Sequence, residues 1–210
     1  MRLFDPQHAP AATLSSELRD HPEWHLSRER YWLWSIPVQC PAVLQRLQAA
    51  RELLGDWLHP PGPRQAHITL FVCGFATPSP VLNDDIATPL LEAQRDALAS
   101  LQLAPFELHI GGLDSFASAA FLDVQNSGPL DQLRQALAQL SPEVRQTDYL
   151  PHLTLGLYRQ AIDLSHWRRR AEPLRHCPAL PLPVRELQLL SYATSEPQGA
   201  LRVETRVVLG

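Results

Sequence analysis

The chain has 210 residues, 45% hydrophobic and 19% charged, a balance that fits one globular domain or two small lobes sharing a core and excludes a disordered or fibrous protein. Its net charge of -4 excludes a protein that coats long nucleic acid by counterion release, which needs a surplus of Lys and Arg, and leaves a short or single-nucleotide ligand open. Cys40, Cys73 and Cys177 form an odd set without CxxC spacing, so neither a disulfide framework nor a zinc ribbon is expected, and the protein reads as reduced and cytoplasmic. Residues 1–28 are polar, lack the apolar run of an export signal and read as an N-terminal extension with at most a short helix. No stretch of the chain is long and apolar enough to predict a membrane span.

Arg30 to Val38 is aromatic-rich and predicts a strand. Pro41 suits the first turn of a helix that carries Val43, Leu44, Leu47, Ala50 and Leu54 and is closed by Gly55. After a proline loop, His67 to Phe75 reads as a second strand, and a helix capped by Thr88-Pro89 runs to about Leu101. Phe106 to Ile110 alternates like a half-buried strand, and Ala119 to Gln125 is again strand-like beyond Gly111-Gly112. Gly128-Pro129 opens a helix with Leu130, Leu133, Leu137 and Leu140 on one face, and a loop leads to a strand that starts at Pro151-His152. A helix over Asp163 to Ala171 and strands over Pro183 to Ala193 and Leu201 to Leu209 complete the chain.

The order strand, helix, loop, His-containing strand occurs twice, with halves of similar length, which predicts two related α+β lobes. Each repeat ends in the same phrase, His67-Ile68-Thr69-Leu70 and His152-Leu153-Thr154-Leu155. In a strand, residues i and i+2 share a face, so each His and Thr project together while Ile68, Leu70, Leu153 and Leu155 face the core. Lobes packed about a pseudo-twofold axis bring two imidazoles and two hydroxyls together across a cleft. In-line displacement at phosphorus needs a base for the incoming oxygen and an acid for the leaving one, and histidine supplies both near neutral pH. The threonine hydroxyls can donate to non-bridging phosphate oxygens. A lone HxT is usually an ordinary strand histidine, but two HxTL phrases arise by chance on the order of once in a thousand chains of this composition.

On these motifs the sequence resembles the 2H phosphoesterase superfamily, named for paired HxT motifs, in its bacterial 2',5'-RNA ligase and cyclic phosphodiesterase branch. The resemblance spans residues 29–210, read as one bilobal domain, and extends to the opening aromatic strand, the segment 106–121, Pro151 before the second His, and Val184 to Tyr192. It implies an α+β fold of two mainly antiparallel sheets lining a central cleft, with helices outside. It also implies His67 and His152 as the catalytic pair, Thr69 and Thr154 as phosphate ligands, and no metal and no cofactor. The implied partners are RNA ends or small nucleotides with a cyclic phosphate or 2',5' linkage, without a membrane or an obligate protein partner. Relatives often carry Arg immediately after the second HxTLx, whereas here Gly156, Leu157 and Tyr158 precede Arg159. A non-catalytic nucleotide sensor that keeps the same cleft is the competing expectation.

Other candidates rest on position alone. Alternation puts Phe71 on the face of His67 and Tyr158 on that of His152, where an aromatic ring could stack a base. Arg64, three residues before His67, and Arg159 are candidate phosphate contacts. His21 and His25 have i, i+4 spacing but lack a further ligand at diagnostic spacing, and Cys73 lacks an activating partner.

Overall fold

The computed structural model describes residues 2–5, 7–125, 128–144 and 148–210. Among these residues, nine strands are β1 (Arg30–Pro37), β2 (His67–Thr77), β3 (Asp85–Ala87), β4 (Phe106–Ser115), β5 (Ala119–Val124), β6 (His152–Leu157), β7 (Leu180–Val184), β8 (Glu186–Ala193) and β9 (Arg202–Val208). Among the described residues the α-helices are α1 (Pro22–His25), α2 (Pro41–Leu54), α3 (Thr88–Ser100), α4 (Gly128–Ala138) and α5 (Leu164–Arg175). The strands form a sheet in the order β7-β4-β5-β6-β2-β1-β8-β9, with β3 parallel to β2. Outward from its centre the sheet reads β6, β5, β4, β7 on one side and β2, β1, β8, β9 on the other. The duplicated pattern is thus a pair of antiparallel halves, joined by the single pair Ile68 and Leu153 between β2 and β6.

The helices cross between the halves. α2 links β1 to β2 but packs on β6, β7 and α5, while α4 links β5 to β6 but packs on β2 and α3. The apolar face of each connecting helix therefore lies under the opposite half, and residues of both halves share one hydrophobic core. Val43, Leu47, Ala50 and Leu54 form the buried face of α2, whereas Leu44 is 36% exposed on the rim, contrary to the sequence expectation.

Several element boundaries differ from the expectation for local reasons. The strand expected over Pro183 to Ala193 is two strands, because β7 pairs with β4 at one edge and β8 pairs with β1 in the other half. Gly111-Gly112 does not end β4 but forms an irregularity within it, where a Cβ on Gly112 would lie 2.0 Å from the Arg175 carbonyl. Ala87 is the N-cap residue of α3, with Thr88 already helical, and Leu140 lies beyond the end of α4. β3 is too short to show a period in sequence and is held by register against Phe75, Ala76 and Thr77.

The described N-terminal residues run over both halves. Leu3 is fully buried, Phe4 meets Trp167 edge-on at 5.1 Å, and the backbone amides of Thr13 and Ser16 donate to the carbonyls of Ile162 and Tyr158. Further on, Trp24 packs against Tyr31 and Phe75, and Arg28 binds Asp84 and Asp85 while lying 3.6 Å over the Phe75 ring.

Gly74 supports this corner of β2. It has φ +98, and a Cβ there would lie 2.2 Å from the Asp84 carbonyl oxygen, an atom that already accepts from the Phe75 amide. Gly74→Ala combines left-handed strain with a backbone clash and is expected to lower unfolding stability by about 2 kcal/mol or more in urea titration. A change below about 0.5 kcal/mol would contradict this account.

Candidate active site

The single pair between β2 and β6 arranges the two motifs. With Ile68 opposite Leu153, antiparallel register sets His67 against Thr154 and Thr69 against His152, on the face away from the core. The four side chains mark a rectangle with imidazoles on one diagonal and hydroxyls on the other, about 7–8 Å across by ordinary antiparallel spacing. A tetrahedral phosphoryl group at its centre has a histidine on each of two opposite sides and a hydroxyl on each of the others.

Each motif carries the same local distortion. β2 is bulged against β1 at Leu70, since Ser35 pairs Thr69 and Trp34 pairs Phe71, and β6 is bulged against β5 at Leu155, since Phe121 pairs Thr154 and Ala120 pairs Gly156. A bulge leaves the extra residue out of the ladder, so its carbonyl needs another donor. The crossing helices supply it: Arg134 of α4 donates to the Leu70 carbonyl at 2.6 Å, and Arg51 of α2 donates to the Leu155 carbonyl at 2.8 Å. Tyr149 adds a hydroxyl donor to the Thr69 carbonyl at 3.0 Å, and Arg134 stacks over its ring at 3.7 Å.

These bulges correct the expectation for Phe71 and Tyr158. Past Leu70 the faces of β2 exchange, and Phe71 is buried in the core at 1% exposure. Past Leu155 the same happens, and Tyr158 is fully buried with its hydroxyl bonded to Ser115 and the Trp167 indole. Neither ring is placed to stack a base. The aromatic rings beside the motifs are Phe116, edge-on to His152 at 5.0 Å, and Phe121 at 5.3 Å. Both were visible in the sequence, but only cross-strand register puts Phe121 beside Thr154.

The imidazoles are oriented alike. Nδ1 of His67 lies 2.8 Å from the Gln65 carbonyl and Nδ1 of His152 lies 2.7 Å from the Leu150 carbonyl. A carbonyl only accepts, so both rings carry a proton on Nδ1 and turn Nε2 away from the backbone. Desolvation of the charged form is the main cause that lowers the His67 pKa from the ordinary value to about 4. Its bond to Gln65 opposes this, while Arg64 and His152 add like-charge repulsion. His67 is therefore neutral at pH 7.

Arg64 lies near enough to His67 to repel its charged form. Its Nε donates to the Gly199 carbonyl at 3.2 Å, its guanidinium lies 4.2 Å from the Tyr192 ring centre, and its Nη2 is buried with no hydrogen-bond partner among the described residues. Burial also lowers its pKa. Arg159, by contrast, is exposed past the end of β6, its amide bonded to the Trp57 carbonyl. At about 3.3 Å per residue it lies more than 20 Å along the chain from His152, so the fold does not bring it to the motifs. Among the described residues there is no cluster of three or more His, Cys, Asp or Glu that could hold a metal. None of the described helices is long and apolar enough to cross a membrane.

Solved structures of similar fold include E. coli LigT complexed with 3'-AMP, with TM-score 0.59 and 16% identity over 86% of this chain and 98% of that one. TT0787 of Thermus thermophilus has TM-score 0.58 and 17% identity over 85% and 97%, respectively. Kluyveromyces marxianus Usb1 with uridine monophosphate has TM-score 0.50 and 16% identity over 88% and 100%. At such identities the likeness is one of fold. No curated protein matches the chain in sequence. The family model for the 2'-5' RNA ligase superfamily matches residues 39–196, a span that contains both HxTL strands and both crossing helices. The chain belongs to the 2'-5' RNA ligase superfamily of 2H phosphoesterases.

Proposed function

We propose that the protein is a metal-independent phosphodiesterase that opens 2',3'-cyclic phosphates on RNA ends or small nucleotides, with joining of 2',5' linkages as the same chemistry reversed. The observation that carries this reading is the diagonal pairing of two Nδ1-anchored histidines and two threonines across β2 and β6. His67, neutral in the free cleft, accepts the proton of the attacking water as its oxygen bonds to phosphorus. His152, protonated, donates to the ribose oxygen as its bond to phosphorus breaks. Thr69 and Thr154 donate to the non-bridging oxygens, and Arg64 adds positive charge through a guanidinium whose buried Nη2 has no hydrogen-bond partner among the described residues. Family membership and the nucleotides named in the LigT and Usb1 structures support this reading.

The test is turnover of a 2',3'-cyclic mononucleotide and a cyclic-phosphate-ended oligonucleotide with EDTA present, across a wide pH range. A base with a lowered pKa stays active on the acid side of the ordinary imidazole range. The acid limb of kcat/KM is therefore expected well below 6.5, towards about 4. An acid limb at or above 6.5 would remove His67 as the base. Nucleotide binding without turnover of either substrate would establish the sensor instead, and absence of both would refute a nucleotide site.

A further inference from the structure

The two histidines occupy equivalent points of the sheet but meet unlike charges. Those that act on His67 are the Arg64 guanidinium and the His152 imidazolium, both positive. His152 instead faces a carboxylate, because register sets Asp123 of β5 directly opposite it. Leu122 and Val124, on either side of Asp123, are buried in the core, so Asp123 projects on the cleft face with His152. Directly opposed residues of an antiparallel pair have Cβ atoms about 4.5–5.5 Å apart, a separation at which a carboxylate favours the charged form of an imidazole.

Asp123 is held from the N-terminal segment. Arg2 donates from Nη2 to Asp123 at 3.1 Å and from Nε to Asp114 at 2.5 Å, and its guanidinium lies 5.9 Å from the Phe121 ring centre. Asp114 sits on β4, opposite Phe121 and one strand further from β6. Arg2 therefore lies on the side of Asp123 away from His152, where it offsets the carboxylate without displacing it. Docking of the segment does not depend on this ion pair: Leu3 is fully buried, its amide donates to the Ser115 carbonyl at 2.8 Å, and Arg168 donates to the carbonyls of Leu3 and Asp5. Asp5, Arg175 and His176 line the same cavity of about 420 Å³ as Arg2 and Asp123. Further along β4, Glu107 and His109 pair with each other at 3.2 Å. β2 presents His67 on the diagonal, and in the loop before β6 Asp148 is exposed while the Tyr149 hydroxyl turns to the Thr69 carbonyl. Asp123 is thus the carboxylate that the adjoining strand sets against His152.

We propose that Asp123 is a positioning residue that keeps His152 the protonated member of the pair, and that Arg2 tempers its charge. The use of that proton rests on the phosphodiesterase reading, whereas the unequal charge of the two histidines does not. Titration of the histidine rings by NMR needs no substrate and is compared in the wild type, Asp123→Asn, Asp123→Glu and Arg2→Gln. Asp123→Asn is expected to lower the His152 midpoint by about one pH unit, a tenfold loss of proton affinity. Arg2→Gln should raise it, because the carboxylate loses its cation, and Asp123→Glu should stay near the wild type. In turnover the alkaline limb of kcat/KM, which reports the acid, should move in the same directions while the acid limb stays in place. A residue that only anchored the N-terminal segment would behave otherwise, since Asp123→Asn and Arg2→Gln break the same ion pair and would act alike. Shifts of equal sign in these two variants, or His152 midpoints within about 0.2 unit across all four proteins, overturn the assignment. The expected ring shifts in a protein without turnover would support Asp123 as the source of the unequal charge and count against the phosphodiesterase reading alone.

Discussion

His67→Ala and His152→Ala are each expected to lower turnover of a cyclic phosphate by at least about 10²-fold, the usual contribution of a positioned acid or base. The expectation follows from the diagonal arrangement, in which each imidazole faces one of the two in-line oxygens and no other described side chain is placed to replace it. Both rings are half-buried at the cleft surface, with Ile68 and Leu153 making the core contacts below them. Thermal unfolding should therefore move little while activity falls. The double variant should lose little beyond the worse single variant, because an acid and a base that act in one step are not additive. Near-normal turnover in either single variant would end the two-histidine assignment. Loss of activity together with loss of the folded transition would show a structural role instead.

The fold was largely legible because its repeat is written in period. Apolar spacing marked α2 and α4, the Thr88-Pro89 start marked α3, and the two HxTL phrases marked the strands that meet at the centre of the sheet. What the sequence hid was long-range. Nothing local says that α2 lies under β6 and α4 under β2, since an amphipathic helix shows how wide its buried face is and not which sheet covers it. Strict alternation assigned Phe71 and Tyr158 to the cleft because a one-residue bulge leaves no mark in composition, yet it reverses every side chain beyond it. The same blindness hid Arg51 and Arg134, which no local pattern singles out and which hold the bulged carbonyls. Leu44, which departs from the buried face of its helix, borders a cavity beside His67.

The bulges also decide which helix arginine matters more. Arg134 donates to the Leu70 carbonyl and to Glu143 at 2.7 Å, and Glu143 in turn accepts from the Val72 amide at 3.0 Å, so one guanidinium holds both sides of the first bulge. The Glu143 side chain is only 9% exposed. Arg134→Met keeps the apolar stem but leaves a nearly buried carboxylate and a bulge carbonyl without their cation. It is expected to lower unfolding stability by about 3 kcal/mol, the lower end for breaking a buried ion pair. Arg51→Met removes a single donor to the Leu155 carbonyl and strands no carboxylate, so it should cost about 1–2 kcal/mol. Because Thr69 directly precedes the bulge, Arg134→Met should also raise KM for a cyclic phosphate, and Arg134→Lys, able to reach one acceptor at a time, should recover part of both losses. Denaturant titrations of the three variants alongside steady-state kinetics check this order. Equal and small losses for Arg134→Met and Arg51→Met would mean that the ladder around Leu70 holds without its cation, and that the HxTL geometry is set by the strands alone.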